Sequence, residues 1–186
     1  MTMAQVRRRA GSRRWRGFSL FGVLLGLAVA GVVVVGAVAL YNQTQEAAGR
    51  SEILTLLSQL KGGVERVYAG QPNYGTGSLI ATLDRRAAIP DSARVVTAGK
   101  VTIEHPFDAT VEITGSGGQY TIKFNDLDDE VCATLADTYV NQTRARTGLV
   151  SIDFSGSEEE APITVAEVTA GCAEGAAAND VTFTFG

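Results

Sequence analysis

The pattern of hydrophobic and polar positions divides the chain into one long helical segment and a mixed remainder. Residues 18–41 form a run of twenty-four positions without a charge, and a helix of that length reaches about 36 Å, enough to cross the hydrocarbon core of a bilayer. Apolar residues then recur at helical spacing on one face: Ile53, Leu56, Leu57, Leu60, Val64 and Val67. No proline occurs between residues 18 and 70, so the pattern predicts one continuous helix of about fifty residues.

From residue 71 onward the pattern is that of a mixed domain, which we term the head (residues 71–186). Ser78 is predicted to cap a short helix that ends before Pro90. The acidic stretch that begins at Asp126 predicts a further helix reaching about Val140. Alternating segments predict the strands of an antiparallel sheet: residues 101–104, 110–114, 120–124, 149–154, 163–169 and 181–185. The predicted fold class is α+β, with a long N-terminal helix packed on an antiparallel sheet.

The charge of the chain is strongly polarised along its length. Six of the sixteen basic residues lie in the first sixteen positions, and no acidic residue precedes Glu46. A basic cluster before an apolar span predicts a cytoplasmic N-terminus with the remainder exported. The chain after residue 17 has ten basic and twenty acidic residues, a net charge of −10. This balance argues against nucleic acid as a partner.

The sequence offers few candidates for catalysis or metal binding. One histidine and two cysteines are too few for a zinc site, and His105, which precedes Pro106, has no partner in a recognisable catalytic motif. We therefore expect no cofactor, no metal and no enzymatic activity. The acidic groups are interpreted as a charged helix start and a solvated loop rather than a calcium site: Asp126, Asp128, Asp129 and Glu130 for the first, and Glu158, Glu159 and Glu160 for the second.

The arrangement of these segments resembles a type IV pilin, and most closely the type IVb class of conjugative and adhesive pili. The resemblance rests on the basic leader, on Gly17 directly before Phe18-Ser19-Leu20, on the apolar helix with its amphipathic extension, and on two late cysteines. It implies the type IV pilin fold and a structural subunit that polymerises with copies of itself. The surface filament would serve adhesion, conjugation or motility, and the sequence does not choose among them.

The resemblance also implies how the chain is processed. Prepilin peptidase would cut between Gly17 and Phe18 and methylate the new N-terminus at Phe18. The chain then divides into a cleaved leader (residues 1–17), a membrane and later filament-core helix (18–41), an amphipathic extension (42–70) and the head. Before assembly the product would sit in the bacterial inner membrane with its N-terminus in the cytoplasm. The pilus assembly machinery would then move it into an extracellular pilus.

Two further pairs of residues are candidate structural sites. Gly22 and Gly26 form a GxxxG pair that permits close helix packing. Members of the family usually carry a glutamate where this chain has Gly22. The sequence therefore does not identify the contact that sets the axial stagger between neighbouring subunits. Cys132 and Cys172 are expected to form a disulfide, because an even pair in an exported domain normally bonds. In the resembling pilins the enclosed region, residues 132–172, forms much of the exposed filament surface.

Several alternatives are compatible with the same sequence. The small residues Ala37, Val38 and Ala39 could mark the end of a removable secretory signal, although the apolar run is longer than such signals usually are. The chain could also be a minor pilin or a pseudopilin of a type II secretion system. A third alternative is a signal-anchored periplasmic binding module that never polymerises.

Overall fold

The computed structural model describes residues 20–172 and 179–186. It contains two compact units, residues 1–44 and 45–186. The described part of the first unit is the N-terminal portion of helix α1, which runs over Leu20–Val67, and the predicted continuous helix is confirmed. Within the part of the chain that is described, no helix is both long and apolar enough to count as a membrane span.

The second unit combines the C-terminal part of α1 with short helices and an eight-stranded sheet. The remaining helices are α2 (Ile80–Arg85), α3 (Asp129–Asp137), α4 (Arg144–Thr147) and α5 (Val165–Gly171). The strands are β1 (Thr76–Ser78), β2 (Arg94–Thr97), β3 (Lys100–His105), β4 (Ala109–Ser116), β5 (Gln119–Leu127), β6 (Leu149–Phe154), β7 (Ser157–Glu160) and β8 (Asn179–Phe185).

The sheet is antiparallel throughout, as predicted, but its order departs from chain order at one place. The strands follow the sequence β2-β3-β4-β5-β8-β6-β7, and β1 pairs with β4 beside this path. The last strand of the chain is thus inserted between β5 and β6. Because β8 has a partner on each side, it ties the C-terminal hairpin β6–β7 to the rest of the sheet.

The core forms where the amphipathic part of α1 meets the buried side of the sheet. Of the predicted stripe, Ile53, Leu56, Leu57, Leu60 and Val64 are buried, and Val67 is partly buried. Alternate residues of the central strands supply the opposite side of the core: Ile113, Tyr120, Ile122, Phe124, Val181, Phe183 and Phe185. The helical and strand periodicities of the sequence therefore meet in one hydrophobic cluster.

Three local predictions for the head are wrong. Ser78 does not cap a helix; it ends β1, and the next residue, Leu79, donates its N–H to the carbonyl of Ile113 over 2.9 Å. The predicted strand at residues 163–169 is largely helix α5. The helix predicted from Asp126 begins three residues later, because β5 continues past a bulge to Leu127, which pairs with Asn179 of β8.

Gly62 and Gly63 on α1 provide a matched pair for a stability test. A Cβ at Gly63 would lie 2.5 Å from the carbonyl oxygen of Ala88, whereas a Cβ at Gly62 would have nothing within 4 Å. We expect Gly63→Ala to destabilise the protein by about 1–3 kcal/mol because the backbone there must move. Gly62→Ala should instead stabilise it by about 0.5–1 kcal/mol, the gain in helix propensity. Thermal unfolding of the full chain in detergent measures both, and equal effects of the two would contradict this packing.

Candidate functional site: the disulfide-bounded region

The region between the two cysteines is held at both ends by short helices. Cys132 lies in α3 and Cys172 is the residue that follows α5, and the structure joins them by a disulfide with Cα atoms 5.8 Å apart. Both cysteines are buried in the core cluster. The covalent link therefore fixes α3 against α5 from the inside, and the segment between them is closed into a loop.

Each of these two helices begins at a side chain that satisfies its free backbone groups. The Asp128 carboxylate accepts the N–H of Val131 over 2.7 Å. At α5 a capping box forms, because the Thr164 hydroxyl accepts the N–H of Glu167 and the Glu167 carboxylate accepts the N–H of Thr164 over 2.7 Å. The Thr164 N–H and hydroxyl both donate to the Glu167 carboxylate, and these two hydrogen bonds lower the pKa of Glu167. The helix starts are thus set locally.

The acidic residues that precede and open α3 have protein partners of their own. Asp129 accepts a hydrogen bond from the buried amide of Asn179 over 2.7 Å, and Glu130 pairs with Arg50 of α1. Asp128 caps the helix, so three of the four acidic residues, Asp128, Asp129 and Glu130, make contacts within the folded chain. The interpretation of this stretch as a charged helix start is consistent with these contacts.

The hairpin of β6 and β7 presents a concentrated negative charge. Its residues 149–160 include Asp153, Glu158, Glu159 and Glu160 and no lysine or arginine. Asp153 lies directly opposite Glu158 in the strand register, and the Glu158 carboxylate accepts a hydrogen bond from Ser151 over 2.6 Å. Further into the sheet, Asp180 and Lys123 form an ion pair at 2.7 Å, so the pKa of the Asp180 carboxyl is lowered. The stretch predicted as a solvated loop is therefore a strand with exposed carboxylates.

His105 lies at the end of β3, and its side chain stabilises the turn that follows. Its ring is buried, with Nε2 2.9 Å from the carbonyl oxygen of Asn125, and its Nδ1 accepts the N–H of Phe107 over 3.3 Å. These partners require Nε2 to carry the proton and Nδ1 to be free, which is a neutral imidazole. Burial lowers the pKa of His105, although the Asn125 carbonyl and the nearby Asp126 and Asp108 act in the opposite direction. The prediction of turn chemistry fits this geometry.

The lowered pKa of His105 predicts a specific dependence of stability on pH. Since the folded state disfavours the protonated ring, the unfolded chain binds the extra proton more readily at acidic pH. Stability should be highest above the unfolded pKa of about 6.5 and should fall as the pH decreases below it. The fall in melting temperature between about pH 7.5 and pH 5.5 is expected to be smaller in His105→Gln than in the unsubstituted chain. An identical fall in both proteins would contradict this assignment.

The other predicted site residues differ in how far the structure describes them. Gly17 and Phe18 lie outside the described residues, and for Gly22 and Gly26 only the helical backbone is described. Within residues 20–172 and 179–186, no group of three or more His, Cys, Asp or Glu side chains is placed to share a metal ion. Sequence reasoning missed the short edge strand β2 and the ion pair between Arg50 and Glu130. The long sequence separation of that pair leaves no local signal for it.

A groove of about 780 Å³ shows how β3 leaves the body of the sheet. Its walls come from α2, β3 and β4, and it includes Asp84, Arg85, Lys100 and Glu112. The strand β3 pairs with β4 only through Ile103–His105, although it pairs with β2 from Lys100 onward. The first three residues of β3 therefore separate from β4, and the groove lies between the two strands.

Comparison with known proteins gives a family match over most of the chain. The family model described as Bundlin matches residues 41–185. No sequence among the curated proteins matches the chain significantly. The family match includes the amphipathic part of α1, the disulfide and all eight strands.

Two solved structures resemble the fold at low sequence identity. A type IVb pilin from Salmonella typhi is 17% identical with a TM-score of 0.55, covering 72% of this chain and 96% of that chain. TcpA, a type IV pilin from Vibrio cholerae El Tor biotype, is 12% identical with a TM-score of 0.54, covering 75% of this chain and 99% of that chain. The fold of this chain is therefore similar to that of these two solved pilins.

Proposed function

Because the chain belongs to the Bundlin family of type IVb pilins, we propose that it is the structural subunit of a type IV pilus. Its family and fold are those of structural pilins rather than enzymes. The observation that carries the proposal is the family match over residues 41–185, which includes the amphipathic part of α1, whose buried stripe anchors a disulfide-linked head. The other observations are consistent with such a subunit.

The proposed processing follows from the leader. Prepilin peptidase removes residues 1–17 by cutting after Gly17 and methylates Phe18. The arginine cluster keeps the leader on the cytoplasmic side, where the cut leaves the apolar helix intact. Residues 18–41 then anchor the chain in the inner membrane until the assembly machinery extracts it.

The proposed assembly buries that apolar segment among copies of itself. Transfer from lipid to a bundle of identical helices exchanges one apolar environment for another, so the gain comes from close packing. Gly22 and Gly26 lie on one helix face and allow neighbouring backbones to approach. The amphipathic part of the helix carries the head, and the disulfide-bounded region, residues 132–172, faces outward from the finished fibre.

Substitution at the cleavage site tests the proposal. We expect Gly17→Leu to retain the arginine leader and to yield no surface filaments, because a bulky side chain replaces the glycine that the peptidase requires in resembling pilins. Ala10→Val, within the leader but away from the cut, is the matched control and should assemble normally. Shearing of cells followed by electron microscopy and gel analysis measures both variants. Filaments built from uncut Gly17→Leu chains would contradict the proposed processing.

The abundance of the chain in these filaments distinguishes the related alternatives. A major subunit accounts for nearly all of the filament mass, whereas a minor pilin or pseudopilin is present in few copies. A non-polymerising binding module would be absent from sheared filaments of the unsubstituted strain. That last result would overturn the proposed function itself.

A further inference from the structure

The sheet ends in two open edges that differ in character. The first and last strands in the sheet order are β2 and β7, and within the described residues neither has a partner on its outer side. We term them the β2 edge (residues 94–97) and the β7 edge (residues 157–160). Both are largely exposed, and Val96 in the β2 edge retains 51% of its accessible surface. Open edges of this kind present backbone groups to any strand that can pair with them.

The hairpin turns determine which backbone groups point outward. Each edge strand is joined to its neighbour by a two-residue turn with positive φ at both positions, Ala98-Gly99 and Ser155-Gly156. In such hairpins the residue next to the turn is hydrogen-bonded inward, and the bonding alternates from there. The N–H and C=O groups of Val96 therefore point outward, and so do those of Glu158 and Glu160. The carbonyl of Arg94 is also directed outward, while its N–H is used within the preceding turn.

The two edges carry opposite charge. Residues 94–100, which comprise β2, its turn and the first residue of β3, contain Arg94, which is paired with Asp84, and Lys100, and no acidic residue. The β7 edge contains three consecutive glutamates. Among the described residues, neither Lys100 nor Glu160 takes part in an ion pair. Both groups are therefore available, within this part of the chain, to a partner of opposite sign.

We propose that the β2 edge of one subunit pairs with the β7 edge of a second copy of this chain, so that the sheets of neighbouring heads join in the filament. This inference rests on the proposed function, since it describes a contact between polymerised subunits. The strands alternate in direction across the seven-strand path, so β2 and β7 run the same way. A copy placed beside the first without inversion consequently forms a parallel pair.

One register satisfies every outward group except the carbonyl of Glu160. With Val96 opposite Glu159, the N–H of Val96 donates to the carbonyl of Glu158, and the N–H of Glu160 donates to the carbonyl of Val96. The N–H of Glu158 donates to the outward carbonyl of Arg94. The same register places the side chains of Val96 and Glu159 on the core side of the joined sheet, because their strand partners Val101 and Ile152 define that side.

The charged side chains meet in this register as well. Glu160 lies opposite Thr97, whose partner across the hairpin is Lys100. Lys100 is therefore two strands from Glu160, about 10 Å by strand spacing, a distance that these two long side chains can span over the small threonine. Glu159 lies diagonal to Arg94, which Asp84 holds at 2.5 Å. The pairing is thus selective for these two edges.

Charge also determines that the contact is head-to-tail rather than two-fold. A two-fold arrangement would join β7 to β7, which brings glutamates together, or β2 to β2, which leaves those glutamates without a basic partner. A head-to-tail contact uses different surfaces on the two copies and leaves a free edge at each end, which is the geometry of an open polymer. The edges therefore match the needs of a filament rather than of a closed dimer.

The glutamates of β7 could instead prevent association of the heads, and this alternative predicts the opposite effect of their removal. Charged residues on open edges commonly prevent strand pairing and aggregation. In that case removal of the negative charge would increase association of the heads. In the proposed pairing it weakens association, so the direction of the change separates the two.

A cysteine pair tests the contact directly in filaments. The variant carries Val96→Cys and Glu159→Cys with the native disulfide intact. These positions lie on opposite edges of one sheet, roughly 29 Å apart by strand spacing, so a bond between them can form only between subunits. Mild oxidation should produce a ladder of covalent multimers on a non-reducing gel. The control, Val96→Cys with Thr169→Cys on the exposed face of α5, should give none.

A charge exchange provides a test that does not depend on the cysteine variant assembling. Lys100→Glu and Glu160→Lys are each expected to reduce the yield of sheared filaments about fivefold, because like charges then face each other. The double variant Lys100→Glu with Glu160→Lys should restore the yield to within about twofold. Glu112→Lys, an exposed change on the central strand β4, should have no comparable effect.

The outcomes separate this proposal from the proposed function. The edge pairing is overturned if the unsubstituted chain forms filaments but the cysteine variant gives no ladder, if the control gives an equal ladder, or if the double charge variant does not restore the yield. The pilin assignment is unaffected by any of these results. Increased association of the heads in Glu160→Lys would show instead that the glutamates prevent strand pairing. Absence of the chain from wild-type filaments would remove the proposed function, and the edge pairing with it.

Discussion

Replacement of both Cys132 and Cys172 by serine is expected to lower the free energy of unfolding by about 4 kcal/mol. The disulfide links residues separated by 40 positions, and in the chain-entropy treatment closure of a loop of that size restricts the unfolded state by about this amount. For a chain of this length the loss corresponds to a decrease in melting temperature of about 10 °C. Thermal unfolding of the full chain in detergent, followed by circular dichroism, measures the change.

Reduction of the unsubstituted chain supplies the control for this prediction. Its melting temperature should fall by a similar amount on treatment with a reductant, whereas that of the double serine variant should not respond. The consequence should be strongest around α3 and α5, because the bond joins these two helices. A shift of less than about 3 °C in both experiments would show that the contacts of α3 and α5 hold the region without the bond.

Leu60→Ala is expected to destabilise the second compact unit by about 2–5 kcal/mol. The Leu60 side chain is fully buried in the stripe that joins α1 to the sheet, and truncation removes apolar contacts and leaves a cavity. Gln59→Ala, one position earlier and exposed, is the matched control and should change stability by no more than about 0.5 kcal/mol. Urea unfolding of the two variants gives both values. Similar losses in the two would contradict the assignment of the stripe.

Helix α1 could be predicted from sequence because its signals are local and long. Apolar residues at helical spacing and the absence of proline extend over many turns, so the errors are confined to the ends: the predicted helix reached to about residue 70 and the observed one ends at Val67. The strand Leu149–Phe154 was predicted with the same limits as observed, since its β-branched and aromatic residues alternate clearly.

The failures occur where local pattern and tertiary context disagree. Residues 163–169 are rich in β-branched residues, which favoured a strand, yet the spacing of Thr164 and Glu167 is a capping box that was present in the sequence and signals a helix. The β7 edge has three glutamates, a composition with low strand propensity, and becomes a strand because it pairs with β6 across a tight turn. Propensity alone could not show that partner.

The assembly of the sheet and of the candidate site depended on contacts distant in sequence. Insertion of β8 between β5 and β6 requires a choice among several compatible strand orders, and no short-range pattern makes that choice. The same holds for the hydrogen bond between Asn179 and Asp129 and for the pairing of Arg50 with Glu130. The cysteines, by contrast, could be paired from sequence because the chain has only two.

Processing of this chain and its assembly into a surface filament are tested most directly by one measurement. The N-terminal residue and intact mass should be determined for the protein recovered from sheared filaments and, separately, from membranes. We predict a filament chain that begins at Phe18, carries one additional methyl group and lacks the two hydrogens lost to the disulfide. A filament chain that retains the arginine leader, or one that begins at Leu40 after cleavage of a secretory signal, would contradict the account.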